Sequence, residues 1–204
     1  SQNAAILEDT VLYIRRSGGS ISKIAAMKNA VGNFIDQVTA NATGDPATNE
    51  DDVTHRLGIV KFSGNESDQI GNDTYRSDGN TYNYSQVVQD LTSVTGNVQS
   101  LKNAVNELAA AGSTRTDFGL NQAQRVLDGD WQHGLGGARE EAKQVVVVFT
   151  DGEPSTFSNW SGGVAANAVN LAKDLKDDKV TVYTIGMFED ADPSDTDGRF
   201  NKYM

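Results

Sequence analysis

The feature that most constrains this fold is a run of four consecutive valines, residues 145–148, within the segment Gln144–Phe149. A strand with one face in water alternates apolar and polar residues, whereas this run presents apolar side chains to both faces. Such strands are typical of the middle of a parallel sheet, where other elements cover both faces. The run is also far shorter than the roughly 18 residues of a membrane helix. The sequence therefore predicts a central parallel strand.

Strand and helix patterns alternate along the rest of the chain. The other predicted strands are Thr10–Ile14, Arg56–Phe62, Val180–Met187 and a short edge strand, Gln86–Leu91. Apolar residues at three- and four-residue spacings predict helices within residues 22–38, 101–108, 120–127 and 164–175. This alternation predicts an α/β fold, doubly wound, with a mostly parallel central sheet and helices on both faces.

The chain of 204 residues has the length of one α/β domain, so we expect residues 1–204 to form a single domain. Residues 63–85 are rich in Gly, Asn, Asp, Ser and Tyr, which predicts a long surface excursion. A further helix pattern starts near residue 200, so the last element of the fold is expected to be cut short.

Composition excludes several classes of function. Asp and Glu number 28 against 17 Lys and Arg, a formal net charge of -11, so neither nucleic acid nor an anionic membrane surface is an expected partner. Cysteine is absent, which excludes disulfides, thiol nucleophiles and Cys-ligated metals. No apolar run is long enough for membrane insertion. Proteins, cations and neutral glycans remain as possible partners.

Three polar loops follow or precede the predicted elements at one edge of the sheet. They are residues 15–22, 112–117 and 150–154. Ligands of doubly wound sheets gather at the carboxyl ends of the strands, where such loops converge. The loops offer hydroxyl and carboxylate oxygens from Ser17, Ser20, Ser22, Thr114, Thr116, Asp151 and Glu153. These hard ligands suit Mg²⁺, Mn²⁺ or Ca²⁺.

Three motifs in these regions resemble those of von Willebrand factor A domains, and most of all those of Gram-positive surface and pilus-tip adhesins. The motifs are F-T-D-G-E-P at 149–154, G-S-T-R-T-D-F-G-L at 112–120, and S-K-I-A-A-M-K-N-A-V at 22–31. In that family a metal-ion-dependent adhesion site consists of Asp-x-Ser-x-Ser, a Thr and an Asp. The resemblance implies that Thr114 and Asp151 supply the last two ligands.

The first of the family's metal motifs is altered in this chain. The best register places Arg15 at the position of the metal-binding Asp, Ser17 at the first Ser and Gly19 at the second. No register places an acidic residue in this loop. Two unit charges of like sign about 4 Å apart repel by roughly 4 kcal/mol at an effective dielectric constant near 20, so a guanidinium there opposes a bound cation.

Three interpretations of this departure stay open at the level of sequence. Arg15 can act as a surrogate cation that pairs with Asp151 in a site without metal. Metal can instead bind weakly through Ser17, Thr114 and Asp151. Residues 1–22 can also be rearranged relative to the natural sequence, since the remainder of the chain fits the family.

The resemblance implies a non-enzymatic adhesion module at the cell surface, the cell wall or a pilus tip, hence an extracellular location. Its partner would be a protein ligand, of the host or the matrix, whose acidic side chain completes the coordination of the ion; other pilus subunits are further partners. Two alternatives are a structural stalk module with a non-functional metal site, and a subunit of a metal-insertion ATPase machine. A self-contained hydrolase is disfavoured, since no serine has a histidine base in sequence context.

Aromatic and acidic side chains close to these motifs in the sequence are further candidates for a role beside the site. Trp160 follows the Asp151 loop and is a candidate for ligand contact, with ordinary loop packing as the alternative. Glu153 and Asp117 either orient water or Thr114 beside the site, or are exposed acids of a turn and a helix start. Trp131 is interpreted as an ordinary loop residue.

Overall fold

The structure is a computed structural model that describes residues 22–44, 53–63, 74–77, 80–83, 85–110, 112–156 and 159–186. The predicted strand Thr10–Ile14, with Arg15 and Ser17 behind it, lies outside the described residues.

Four α-helices are present in the described part of the chain. They are α1 (Lys23–Ala40), α2 (Val98–Asn106), α3 (Thr116–Asp128) and α4 (Gly162–Asp177). Each falls where apolar spacing predicts a helix, so these predictions are confirmed. Serines begin two of them: the hydroxyl oxygens of Ser22 and Ser161 accept hydrogen bonds from backbone N–H groups in the first turns of α1 and α4, the common role of an N-cap serine.

The described strands are β1 (Arg56–Lys61), β2 (Thr74–Ser77), β3 (Asn80–Asn83), β4 (Gln86–Ser93), β5 (Val145–Thr150), β6 (Ser155–Thr156), β7 (Asn159–Trp160) and β8 (Thr181–Gly186). β5 and β8 pair in parallel, with Val145 opposite Thr181 and Thr150 opposite Gly186. β1 and β4 pair antiparallel. The α/β class and the parallel pairing of the valine strand are therefore confirmed.

The structure adds detail to two sequence predictions. Within the predicted surface excursion, residues 63–85, β2 and β3 form an antiparallel hairpin. The predicted edge strand at residues 86–91 extends over the eight residues of β4. Polar, turn-forming residues dominate the sequence of this hairpin, so its composition does not predict strands. The two strands form because they pair with each other.

Two apolar clusters hold the described elements together. Ile35 of α1 packs with Val94 and with Leu101 and Val105 of α2, and β1 side chains pack against this cluster. The second cluster joins α3 and α4 to the parallel strands through Leu120, Val148, Leu175 and Val180. The valine strand is less enclosed than its composition predicts, since Val145 at its start is exposed while Val148 is buried.

The end of α1 is tied to the start of β1. The backbone N–H of Thr43 donates to the carbonyl of Val53 over 2.9 Å, and the N–H of Val53 donates to the hydroxyl of Thr43 over 2.7 Å. These residues lie just after α1 and just before β1, so the two bonds hold the end of the helix next to the start of the strand.

None of the helices in the described ranges is both long and apolar enough to cross a membrane.

Candidate functional site

Two hydrogen bonds join the loop before α3 to the segment after β5, and each of them uses a backbone group of Thr114. The N–H of Thr114 donates to the hydroxyl of Ser155 over 3.0 Å. The N–H of Ser155 donates in return to the carbonyl of Thr114, also over 3.0 Å. The backbone N–H and the carbonyl of Thr114 are thereby both bound to the segment that follows the valine strand. The convergence of these two loops, predicted from the sequence, is present in the structure.

Gly152 brings the turn after β5 into direct contact with Thr114. A Cβ atom built on Gly152 would lie 2.6 Å from Oγ1 of Thr114, closer than any real contact. The hydroxyl of Thr150 donates to the carbonyl of Gly152 over 3.2 Å and so closes the turn. Asp151, between them, is exposed at the carboxyl end of β5. The Thr114 hydroxyl and the Asp151 carboxylate therefore share one edge of the fold, called here the 114–151 edge.

The Asp117 carboxylate is buried and paired, so it is not a free acid at this edge. It is buried, with 4% of its surface exposed, and its carboxylate binds the guanidinium of Arg115 through two hydrogen bonds of 2.9 Å. The guanidinium also stacks on Phe118, 3.5 Å from the ring centroid. The interpretation of Asp117 as an exposed helix-start acid is wrong. Its charge is neutralised by Arg115, a partner that sequence spacing alone did not suggest.

Trp160 reaches the 114–151 edge through a short hairpin. β6 and β7 place Trp160 opposite Ser155, the residue that binds Thr114. The Trp160 side chain is 52% exposed, and a Cβ on Gly162 would lie 2.9 Å from its ring, so the indole rests against the start of α4. Glu153 is half-buried in the connecting turn. The structure thus places Trp160 and Glu153 beside the edge, as the sequence order suggests.

A second cluster, centred on Asp130, was missed by sequence reasoning. The Asp130 carboxylate lies 2.7 Å from the Arg125 guanidinium and 2.7 Å from Nδ1 of His133. The hydrogen bond from Arg125, assisted by His133, lowers the pKa of Asp130 below its ordinary value. The loop that it holds presents Trp131 with 85% of its surface exposed. The three-residue spacing of Asp130 and His133 is the sequence feature that could have indicated this contact.

The oxygen atoms of Thr114 and Asp151 are of the chemical type that binds a hard cation. Thr114 offers a hydroxyl oxygen and Asp151 a carboxylate, and Mg²⁺ takes few protein oxygens while it retains several waters. Within the described ranges, no cluster of three or more His, Asp or Glu side chains is arranged to hold a metal. Thr114 and Asp151 stay predicted ligands, and the third predicted ligand, Ser17, lies outside the described residues.

The sequence model of the von Willebrand factor type A domain family matches residues 14–198. This match spans most of the chain, and the chain belongs to that family. A search of curated proteins found no match. Family membership and the joined loops agree that this is a domain of the kind used for protein interaction.

The contact between Gly152 and Thr114 gives a prediction about stability. We expect Gly152→Ala to lower the free energy of unfolding by about 1–3 kcal/mol, because the new methyl group overlaps Oγ1 of Thr114 and the turn must shift. Urea denaturation measures the change. In a Thr114→Ala background the hydroxyl is gone, so the same substitution should cost much less. An equal cost in both backgrounds would contradict the contact.

Proposed function

We propose that this domain is an adhesion module of a bacterial surface or pilus-tip protein, displayed outside the cell, which binds a protein ligand at the 114–151 edge. One observation carries the proposal: the joined loops hold Thr114 against the turn at the end of β5, the turn in which Asp151 is exposed. Because these groups come from separate loops fixed to each other, the edge is preorganised for a ligand.

The chemistry of the edge favours an acidic ligand held through a cation. The Asp151 carboxylate repels another carboxylate, so a cation must lie between them. Mg²⁺ fits the oxygens of Thr114 and Asp151, with Mn²⁺ and Ca²⁺ as related choices. The family mechanism, in which a ligand acid completes the ion's coordination, would then operate here.

Neighbouring side chains would add contact area around the acid. Trp160 is half exposed on the hairpin that binds Thr114, and large aromatic side chains supply much of the binding energy at protein interfaces. Glu153 lies in the same turn. We propose that Trp160 packs on the ligand beside the acidic group, while Glu153 contributes to selectivity.

We also propose that the domain catalyses no reaction. A hydrolase needs a nucleophile within reach of a base. The described Ser113 is buried and Ser155 is bonded to Thr114, while His133 is held by Asp130. These partners suit structural roles.

A structural role for the domain is the second candidate, and one sequence observation favours it. Arg15 stands where the family's metal-binding Asp is expected. A stalk or scaffold module can retain the fold after its metal site has been lost.

Calorimetric titration with Mg²⁺ tests the cation at this edge. We expect the double variant Arg15→Asp, Gly19→Ser to bind Mg²⁺ at least about tenfold more tightly than the parent chain, because it gains a carboxylate and loses a positive charge. Asp151→Asn in the double-variant background should abolish this binding. If the double variant shows no binding of Mg²⁺ or Mn²⁺, the 114–151 edge is not a metal site and the structural role is favoured.

Adhesion itself is tested by surface plasmon resonance on a panel of purified extracellular-matrix proteins. We expect the parent chain to bind at least one of them, and Asp151→Asn to weaken that binding by about tenfold or more. Trp160→Ala should also weaken it, whereas Trp131→Ala, which removes an exposed indole elsewhere, should have little effect. Binding that depends on Trp131 and not on Asp151 would place the ligand at another surface.

A further inference from the structure

An indole projects into solvent from the loop after α3. This loop, residues 129–138, is called here the Trp131 loop. Trp131 is 85% exposed, the highest value among the exposed large apolar side chains of the described ranges. Because apolar surface in water is unfavourable, a ligand that covers the indole gains free energy.

Backbone hydrogen bonds close the Trp131 loop into a ring. The N–H of Asp130 donates to the carbonyl of Leu135 over 3.0 Å, and the N–H of Leu135 donates to the carbonyl of Asp130 over 2.9 Å. Between these two residues, Trp131–His133 form a single turn of 3-10 helix. Behind the ring, the N–H of Ala138 donates to the carbonyl of Leu127 over 2.7 Å, and the Leu135 side chain is buried. The indole is therefore displayed by a closed and anchored segment.

Two strands hold the ring from outside. The Asp90 carboxylate on β4 accepts a hydrogen bond from the N–H of Gly136 over 3.0 Å. The Arg56 guanidinium on β1 donates to the carbonyl of Gly137 over 3.2 Å. The Asp130 carboxylate adds the contacts with α3 and with the ring itself that are described above. A loop fixed in this way loses little conformational entropy when a ligand binds, so the indole is preorganised.

Polar groups suited to hydrogen bonding follow the indole directly. Gln132 and His133 are both exposed. Nδ1 of His133 lies 2.7 Å from the Asp130 carboxylate, which fixes the ring and leaves Nε2, on its other side, to bond to a ligand. The Gln132 amide both donates and accepts hydrogen bonds. The loop therefore suits a ligand that has an apolar face and a polar rim.

The apolar surface of the loop is the size of a small ligand. A stable protein interface covers about 800 Å² on each partner, and several aromatic or apolar side chains form its centre. Beside Trp131, the exposed positions of the loop are Gln132, His133, Gly134 and Gly136, and none of them adds an apolar side chain. One indole face instead matches one sugar ring, whose C–H groups pack on the electron-rich face of an aromatic ring while its hydroxyl groups form hydrogen bonds.

The charge of the protein favours a neutral sugar. The chain has a formal net charge of -11, which repels an acidic sugar. Asp130 is the one carboxylate in the sequence of the loop, and it is already paired with Arg125. The groups around the indole are thus suited to hydroxyl groups rather than to a charged ligand.

The Trp131 loop and the 114–151 edge lie at opposite ends of α3. The helix begins at Thr116, close to Thr114 in the sequence, and ends at Asp128, directly before the loop. Its 13 residues span about 20 Å at about 1.5 Å per residue. A small ligand at one end therefore does not contact a ligand at the other.

We propose that the Trp131 loop is a second binding site, which takes a neutral pyranose: one face of the sugar stacks on Trp131, and Gln132 and His133 bond to its hydroxyl groups. A single sugar ring is held weakly here, with a dissociation constant of roughly 1–10 mM. Binding this weak leaves the effects predicted for Asp151 and Trp160 on matrix proteins unchanged.

NMR titration of the nitrogen-15-labelled chain tests the site, because the two tryptophans give two indole N–H signals. The probes are N-acetylchitotriose, maltotriose and lactose, which are neutral and free of protein. Trp160→Phe assigns the two signals. We expect at least one probe, at concentrations up to about 20 mM, to shift the Trp131 signal along a saturating curve and to leave the Trp160 signal in place.

Variants connect the binding to the loop. Trp131→Ala should abolish the sugar-dependent shifts of the backbone N–H signals of the loop, whereas Trp131→Phe, which keeps an aromatic face, should retain weaker binding. Trp160→Ala is the matched control, because it removes the other exposed indole and should leave the sugar affinity unchanged. Asp130→Ala keeps the indole but frees His133, so we expect the sugar affinity to fall by about fivefold or more. Circular dichroism shows that each variant is folded.

Four results would overturn the proposal. They are the absence of a saturating shift with all three sugars, an equal shift of the Trp160 signal, a Trp131 signal that moves with protein concentration alone, and matrix-protein binding that Trp131→Ala abolishes and free sugar does not compete. The third result would show that a second copy of the chain covers the indole, and the fourth that the ligand is a protein. Mg²⁺ binding at the 114–151 edge is titrated separately, so either site can fail while the other stands.

Discussion

Asp117→Ala is expected to lower the free energy of unfolding by about 3–5 kcal/mol, because it leaves the Arg115 guanidinium buried without its carboxylate. Arg115 is only 7% exposed, so water cannot replace the lost partner. Asp117 also lies in the first turn of α3, where a negative charge is stabilising. Urea denaturation followed by circular dichroism measures the loss.

Asp128→Ala is the matched control for this change. Asp128 ends the same helix but is exposed, so its removal should alter stability by no more than about 0.5 kcal/mol. The variant Arg115→Met, Asp117→Leu removes both charges together and should cost less than Asp117→Ala alone. If Asp117→Ala were as mild as Asp128→Ala, the ion pair would not be buried as described.

Leu101→Ala is expected to destabilise the domain by about 2–5 kcal/mol. Leu101 is fully buried on α2 and packs with Ile35, Val94 and Val105, so truncation leaves a cavity as well as losing apolar contact. The midpoint of urea unfolding should fall while the slope of the transition stays constant.

Ser100→Ala controls for the change of helix propensity at α2. Ser100 is the preceding residue and is exposed, and alanine favours helix, so stability should stay constant or rise slightly. A loss below about 1 kcal/mol for Leu101→Ala would show that this cluster contributes little to the stability of the domain.

The identity of the cation proposed for the 114–151 edge has a consequence for adhesion. If Arg15 supplies the cation, removal of divalent ions with a chelator should leave ligand binding intact. If Mg²⁺ supplies it, the chelator should abolish binding. Family membership is compatible with either arrangement, and the identity of residue 15 distinguishes this chain from the usual pattern of the family.

The candidate site could be predicted in part from the sequence. The sequence predicted that the loops carrying Thr114 and Asp151 converge at the carboxyl ends of the strands, and the hydrogen bonds through Ser155 show that these two loops meet. The roles of Thr114 and Asp151 as ligands stay predictions. The Arg115–Asp117 pair was missed, since burial decides whether neighbouring charges form an ion pair or stay solvated. The Asp130 cluster was missed because its contacts with Arg125 and His133 depend on how the loop after α3 folds.

The sequence alone determined the four described helices and the strands β1, β4, β5 and β8, because apolar periodicity acts locally. The valine run predicted the parallel strand β5, and the spacing of apolar residues placed the helices. Tertiary structure decided which charges are neutralised, and that β2 and β3 pair within a polar segment. These features depend on contacts between residues far apart in the chain, which local pattern does not encode.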